Sequence, residues 1–214
     1  ITVDSGRLWR AEKEGIFQPV DSALLSERIP AHLRHPEGEW FGLSTRARVI
    51  AHKKDMALPA GFGTYEALAD EAFRGQVCMR SSGNIYNLSL MASLIDAHGA
   101  PAAEAWAKGV VANFARTPQS NDTGQLKAVA SGECTITIAN TYYLGRLMAS
   151  TKPEDKALMA NLEIVFPNQD GRGTHVNISG AGVTKYAPNR ENAIRFLEYL
   201  TSDFAQRLFA EGNN

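Results

Sequence analysis

Few of the features that mark whole classes of protein occur in this sequence of 214 residues. Its 22 Lys and Arg residues nearly balance its 23 Asp and Glu residues, so no excess of charge points to nucleic acid or an anionic membrane as a partner. It has no apolar run of about 18 residues, the length that a membrane-spanning helix needs. Cysteine, histidine and carboxylate residues are not clustered at the spacings that zinc or calcium sites use. No Ser-His-Asp or Cys-His arrangement with a supporting local motif is present, which disfavours nucleophilic enzymes.

Cys78 and Cys134 are the only cysteines, too few for a disulfide scaffold and too widely spaced for a CxxC motif. Each begins or lies within a predicted strand that precedes a turn, so we expect the two on neighbouring strands. In an oxidising compartment they would form a disulfide. Two buried thiols are the other alternative, and the sequence alone leaves both open.

The sequence does contain enough apolar material for a core. With 44% hydrophobic and 21% charged residues, it is typical of a globular protein with one domain or two small lobes. It starts in a strand-like run, Ile1-Thr2-Val3-Asp4, without an initiating Met, a charged leader or a signal peptide. We therefore expect the chain to be the interior of a longer precursor.

Predicted strands and helices alternate along the middle of the chain. Alternating polar and apolar residues predict a strand over 46–52, and the pattern breaks at Lys53. The stretch that follows predicts strands at 76–80, 134–138 and 162–167, and helices at 85–98, from 101, from 121 or 122 to 131, and at 144–149. Strands and helices in this order imply crossover connections and a mainly parallel sheet. The alternating run 174–179 is interpreted as the chain crossing back to the first lobe, before two final helices.

Two adjacent phenols stand at a predicted strand-to-helix corner. Tyr142 and Tyr143 follow the β-branched run 134–138 and precede a helix. In open α/β sheets, ligands bind at such corners, beyond the carboxyl ends of the strands. Asn140 or Thr141 is expected to cap the helix, and its first turn favours a phenolate over a phenol.

A third phenol occupies the same kind of position. Tyr86 follows the predicted strand 76–80 and lies near the start of the next helix. Because the carboxyl ends of parallel strands share one edge of a sheet, we expect Tyr86 to converge with Tyr142 and Tyr143.

Three phenols at a binding edge need partners. A phenol has a pKa near 10 and ionises at neutral pH only beside a strong positive charge, which a small trivalent cation supplies. Since the ligands of zinc, calcium and soft metals are absent at useful spacing, ferric iron bound by tyrosinates is the interpretation that remains. The alternative is that each tyrosine is a half-buried packing residue with a satisfied hydroxyl.

Longer stretches of the sequence resemble a known family. The stretches are 42–50, 80–87, 139–145, 166–169 and 173–183. Over essentially the whole chain they resemble the periplasmic ferric-iron-binding proteins of ABC importers, of the FbpA and FutA kind. The resemblance implies an α/β fold with the two lobes of a type II periplasmic binding protein. Each lobe is expected to be a mainly parallel sheet flanked by helices, and two crossing strands are expected to act as hinges. The implied ranges are 1–52 for the first part of the N-lobe, 53–166 for the C-lobe and 167–214 for the return to the N-lobe.

The resemblance also implies a set of site residues. It maps Tyr86, Tyr142 and Tyr143 onto the tyrosinate ligands of one Fe(III) ion. Family members carry a further strand–helix segment ahead of the position of Ile1, which contributes another ligand, a His, a Tyr or both.

Arg46 is the candidate anion-binding residue. The resemblance implies that Arg46 faces the cleft, where it holds a synergistic anion such as carbonate or offsets the phenolate charge. Asn140 and Ser82 are expected to support the same site. From the residues alone, Arg46 on a crossing strand is most simply a surface or inter-lobe ion-pair residue.

We therefore predict a ferric-iron solute-binding protein, not an enzyme. It would capture Fe(III) in an inter-lobe cleft and deliver it, as a periplasmic monomer, to an ABC transporter permease. One alternative is the same fold binding a small anion or an organic solute through Arg46. The other is an enzyme with a Tyr general acid at the sheet edge.

Overall fold

The computed structural model describes residues 2–59, 61–119 and 121–212, so the first residue of the strand predicted at Ile1 lies outside the described residues. The described residues form six β-strands and nine α-helices. In chain order these are β1 (Thr2–Asp4), α1 (Ser5–Lys13), α2 (Ala23–Arg28), β2 (Phe41–Lys53), β3 (Val77–Cys78), α3 (Ile85–His98), α4 (Ala100–Ala112), α5 (Asp122–Ser131), β4 (Ile136–Asn140), α6 (Thr141–Ala149), α7 (Pro153–Ala160), β5 (Leu162–Val165), β6 (Val176–Ala181), α8 (Arg190–Leu200) and α9 (Asp203–Gly212).

These elements cluster into two compact units. Unit 1 comprises the residues up to Arg46 together with those from Val176 onward, and unit 2 comprises Ala47–His175. The long strand β2 begins in unit 1 and ends in unit 2. The predicted lobe ranges 1–52, 53–166 and 167–214 stay predictions of where the lobes begin and end.

Unit 1 is built on an antiparallel strand pair with helices packed on it. β6 stands next to β1 and β2 in the strand order and pairs antiparallel with β1, with Thr2 opposite Ala181. The side chain of Asp4 caps α1 by accepting a hydrogen bond from the N–H of Arg7 at 3.1 Å. The larger buried cluster of this unit consists of Val20, Leu25, Ile29, Phe41, Leu43, Ala181, Val183 and Leu197.

Unit 2 is built on a mixed sheet in the order β5–β2–β4–β3. β2 pairs antiparallel with both of its neighbours, and among the described residues of this sheet only the β3–β4 strand pair is parallel. The prediction of a mainly parallel sheet is therefore wrong here. The alternation of side chains shows which residues face the core but carries no information on strand direction, and β2 runs against β4.

Helices cover both faces of the unit 2 sheet. Val49 and Ala51 belong to one buried cluster with residues of α5, α6 and α7, whereas Ile50 belongs to another with residues of α3 and α4. Neighbouring residues of β2 thus point to opposite faces, as the period of two requires.

Strand β6 begins at Val176, inside the run 174–179 that was predicted to cross back to the first lobe. Within 165–179 only β6, from Val176, and the last residue of β5 are strand. Turns occupy the segment between them, where Asn168 and Gly173 have positive φ values of 62° and 80°. A left-handed conformation at these positions interrupts an extended strand, so one crossing is a strand and the other is a turn segment that leads into β6.

No helix among the described residues is both long and apolar enough to cross a membrane. Cys78 and Cys134 are joined by a disulfide with a Cα–Cα distance of 5.9 Å, the first of the two alternatives that the sequence left open. Both cysteines are buried, and the bond connects the end of β3 to the segment just before β4.

Candidate metal centre

The parallel pairing of β3 with β4 brings two corners of unit 2 to one edge of the sheet. Val77 is opposite Ile136 and Cys78 is opposite Thr137, so the carboxyl ends of the two strands are adjacent. A turn and α3 follow β3, and α6 follows β4 directly. Side chains at the starts of α3 and α6 therefore meet at this edge.

Tyr86 is the second residue of α3 and is half-buried. The helix begins here because the side chain of Asn84 accepts a hydrogen bond from the N–H of Tyr86 at 3.0 Å. This cap fixes the position of Tyr86 relative to the end of β3.

Asn140 occupies the N-cap position of α6, but its side chain makes no capping hydrogen bond, so the predicted cap is wrong. Its amide oxygen instead accepts a hydrogen bond from Arg48 at 3.1 Å, and its amide nitrogen lies 3.4 Å from the hydroxyl of Tyr142. The Thr141 hydroxyl accepts from the N–H of Ala47 at 3.3 Å. The guanidinium of Arg48 thus binds the amide oxygen of Asn140 that would otherwise cap the helix.

The three phenol groups form one cluster, in which Tyr142 contacts both of the others. The hydroxyl of Tyr142 donates to the hydroxyl of Tyr86 at 2.9 Å. The rings of Tyr142 and Tyr143 are also in contact, with their centroids 4.4 Å apart. Side chains 56 residues apart in sequence thus place three oxygen atoms in one small region.

The environment of this cluster opposes ionisation of Tyr142. Burial raises the pKa of its hydroxyl well above the ordinary value of 10.0, and the neighbouring phenols of Tyr143 and Tyr86 raise it further. Phenols held together in this way are neutral until a cation is placed among their oxygens.

A fully buried carboxylate lies beneath the phenols. Asp122 Oδ2 accepts from Nη1 of Arg48 at 2.8 Å, and Oδ1 accepts from Nη1 of Arg80 at 3.0 Å. The guanidinium carbons of Arg80 and Arg48 lie 5.1 Å and 5.8 Å from the ring centroid of Tyr86.

The charge of Arg80 is favoured by its surroundings. Burial disfavours the guanidinium, but the carboxylate of Asp122 and the neighbouring phenol of Tyr143 outweigh that penalty and raise the pKa of Arg80 above its ordinary value. Two positive groups therefore border the phenol cluster.

These charged residues were not predicted from the sequence. Asp122 was interpreted only as a possible helix start, although its neighbour Asn121 is the cap of α5 and accepts from the N–H of Gly124 at 3.0 Å. Two local signals were available: Arg80 ends the predicted strand 76–80 at the predicted binding edge, and Arg48 lies two residues from Arg46 and so on the same face of β2.

Among the described residues, no hydrogen bond links Arg46 or Ser82 to the phenols. Arg46 is half-buried in unit 1 and donates to the hydroxyl of Ser179, while its Nε is buried with no acceptor among the described residues. Ser82 is exposed in the turn before Asn84. The anion-binding role of these two residues stays a prediction.

The oxygen atoms of the cluster are ligands of the kind that a hard cation prefers. In the described part of the chain, no group of three or more His, Cys, Asp or Glu residues is arranged to hold a metal ion. Three phenol oxygens with guanidiniums behind them could instead bind a small, highly charged cation as phenolates.

Comparison with known proteins extends this description. The family model described as "Bacterial extracellular solute-binding protein" matches residues 2–214. The chain belongs to this family. Two relatives of this solute-binding protein are "Iron uptake protein A1" and "Iron uptake protein A2" of Synechocystis, which are 55% and 56% identical to it over its full length. The solute-binding protein spans 59% and 62% of their lengths.

Solved structures show the same fold. A Trichodesmium protein called IdiA or FutA, in complex with iron and citrate ligands, is 58% identical with a TM-score of 0.94, over 99% of this chain and 67% of that one. The ferric binding protein from Campylobacter jejuni is 41% identical with a TM-score of 0.93, over 98% of this chain and 67% of that one. These matches confirm the predicted family and the two-lobed type II periplasmic binding fold, with the mixed sheet as the correction. The relatives are solute-binding proteins and not enzymes, so the general-acid alternative is set aside.

Proposed function

We propose that this solute-binding protein binds Fe(III) through the phenolate oxygens of Tyr86, Tyr142 and Tyr143. The observation that carries the proposal is the cluster of three phenol groups, with hydroxyls 2.9 Å apart in one pair, at the edge where β3 and β4 end. The printed names of its relatives, iron uptake proteins and ferric binding proteins, support iron as the substrate.

The electrostatics require a strong cation if these phenols are to ionise. The raised pKa of Tyr142 means that phenolates form here only when a strong cation arrives. Iron binding then releases phenol protons, so we expect the affinity for iron to fall as the pH drops.

Delivery belongs to the same proposal. We propose that the protein acts in the periplasm as a monomer and passes iron to the permease of an ABC importer, as its family suggests. An anion such as carbonate, held by Arg46, would complete the iron coordination. Closure of the two lobes on the ion stays a prediction.

The proposal is tested by adding ferric citrate and recording the visible charge-transfer band of tyrosinate–iron bonds. We expect the band in the wild-type protein, and we expect Tyr143→Phe to reduce its intensity and to weaken iron affinity about tenfold or more. The same titration at lower pH should show weaker binding.

Tyr186→Phe is the matched control, because its phenol is 87% exposed and belongs to unit 1. This variant should keep the full band. A band of wild-type intensity in Tyr143→Phe would show that this residue is not a ligand, and no band in the wild type would refute the proposal itself.

A further inference from the structure

One buried carboxylate ties together the segments that carry the candidate ligands. Asp122 is fully buried at the start of α5. Beyond its ion pairs with Arg48 and Arg80, its Oδ2 accepts the backbone N–H of Asn140 at 3.0 Å. Asn140 immediately precedes the corner of Tyr142 and Tyr143. The carboxylate thus contacts β2, the turn after β3 and the end of β4.

Asn87 closes the same network from the other corner. Its amide oxygen accepts from Nη2 of Arg48 at 2.7 Å, and its amide nitrogen donates to the carbonyl of Arg80 at 3.0 Å. Asn87 directly follows Tyr86 in α3. Both corners that present phenols are therefore linked, through Arg48, to one carboxylate.

The charges in this network do not cancel. The salt bridges of the described residues give Arg48 and Arg80 no carboxylate other than Asp122, so two guanidiniums share one negative charge. An excess positive charge is costly in a purely structural network. Beside oxygens that become negative when a metal binds, the same excess charge is favourable.

We propose that Asp122 is a positioning residue for iron binding. It holds Arg80 against the ring of Tyr86, and it fixes the two phenol-bearing corners relative to each other. This inference rests on the proposed function, since it concerns how the same phenols are arranged for iron.

The test uses the energy of the iron charge-transfer band, which a structural role alone would not move. The positive charge of Arg80 next to a phenolate lowers the energy of the phenolate electrons, so loss of that charge should shift the band to longer wavelength. We expect Arg80→Gln to produce this shift and to weaken iron affinity about tenfold in competition with citrate. Arg80→Lys keeps the charge, so its band position and its iron affinity should lie between those of Arg80→Gln and the wild type.

Asp122→Asn should change the band in the same direction, because it removes the anchor of both guanidiniums. Arg116→Gln is the matched control: Arg116 is ion-paired with Glu133 at 2.9 Å and bonds Gln125 of α5, but it has no contact with a tyrosine among the described residues. It should leave the band position and the affinity for iron unchanged. Far-UV circular dichroism checks that each variant is folded.

The outcomes separate the two proposals. No band in the wild type with ferric citrate overturns the proposed function and this inference with it. A wild-type band that stays at the same wavelength, with the same affinity, in a folded Asp122→Asn protein or in Arg80→Gln overturns this inference alone. If Asp122→Asn does not fold, the Arg80→Gln and Arg80→Lys pair decides the question.

Discussion

Glu66 anchors the segment that follows β5 to the rest of unit 2. Its carboxylate accepts hydrogen bonds from Asn168 at 2.6 Å and from Arg172 at 3.2 Å, and it lies 2.8 Å from Nε2 of His98. Partial burial opposes its ionisation, but the bonds from Asn168 and His98 and the charge of Arg172 outweigh that effect and lower the pKa of Glu66 to about 2. The carboxylate therefore favours the folded state only while it is ionised.

We predict that Glu66→Gln destabilises the protein by roughly 1 kcal/mol near neutral pH, a modest value because the side chain is partly exposed. The folded pKa is lowered, so this contribution is complete above the ordinary value of 4.5 and is lost as the pH falls toward about 2. Urea unfolding of both proteins across this range measures the difference.

Glu71→Gln serves as the control, because that carboxylate is 90% exposed and pairs with Arg74 at 3.8 Å. Its unfolding free energy should match that of the wild type. A Glu66→Gln difference that stays constant down to the lowest pH would contradict the assigned interaction.

At the scale of single residues, the sequence predicted that three tyrosines converge. It did not predict the charged residues next to them. Tyr86, Tyr142 and Tyr143 each follow a strand, which is a local pattern that a sequence displays. Asp122 meets Arg48 and Arg80 from 74 and 42 positions away. Such pairings depend on how strands are ordered in the sheet, and no local pattern encodes that order.

Helix ends were predictable where a local signal marks them. The predicted helix 85–98 has the same bounds in the structure, because Asn84 caps it and Gly99, with a φ of 80°, ends it. Helix α7 was not predicted. Its signals are a Pro at the first helical position and two acids in the first turn, and its short length gives little apolar periodicity.

Helix α4 provides a test of packing at this scale. A Cβ on Gly109 would lie 2.8 Å from both the Cβ and the carbonyl oxygen of Ala69. Helix propensity alone would favour Gly109→Ala by about 1 kcal/mol, but the backbone of Ala69 cannot move cheaply. We expect a net loss of about 1 to 3 kcal/mol in the free energy of unfolding, measured with urea.

Ala105→Gly tests the propensity term separately, since Ala105 is exposed on the same helix. It should cost about 1 kcal/mol. A Gly109→Ala protein more stable than the wild type would mean that α4 and Ala69 are not in close contact.

For the whole molecule, the sequence predicted the fold class better than the direction of its strands. Alternating strands and helices, with the family resemblance, led to the two-lobed α/β fold. The antiparallel run of β2 against β4 and β5 was not predictable, because alternation is identical in parallel and antiparallel strands.

The pairing of β1 with β6 has a consequence for folding kinetics. Thr2 is opposite Ala181, so this pair forms only after the intervening chain has been closed into a loop. Unit 2 is one continuous stretch within that loop. In refolding from urea, we therefore expect pulse-labelled amides of unit 2 to gain protection before those of β1 and β6. Equal rates in the two units would contradict this order. The expected order means that the phenols are assembled before β1 pairs with β6.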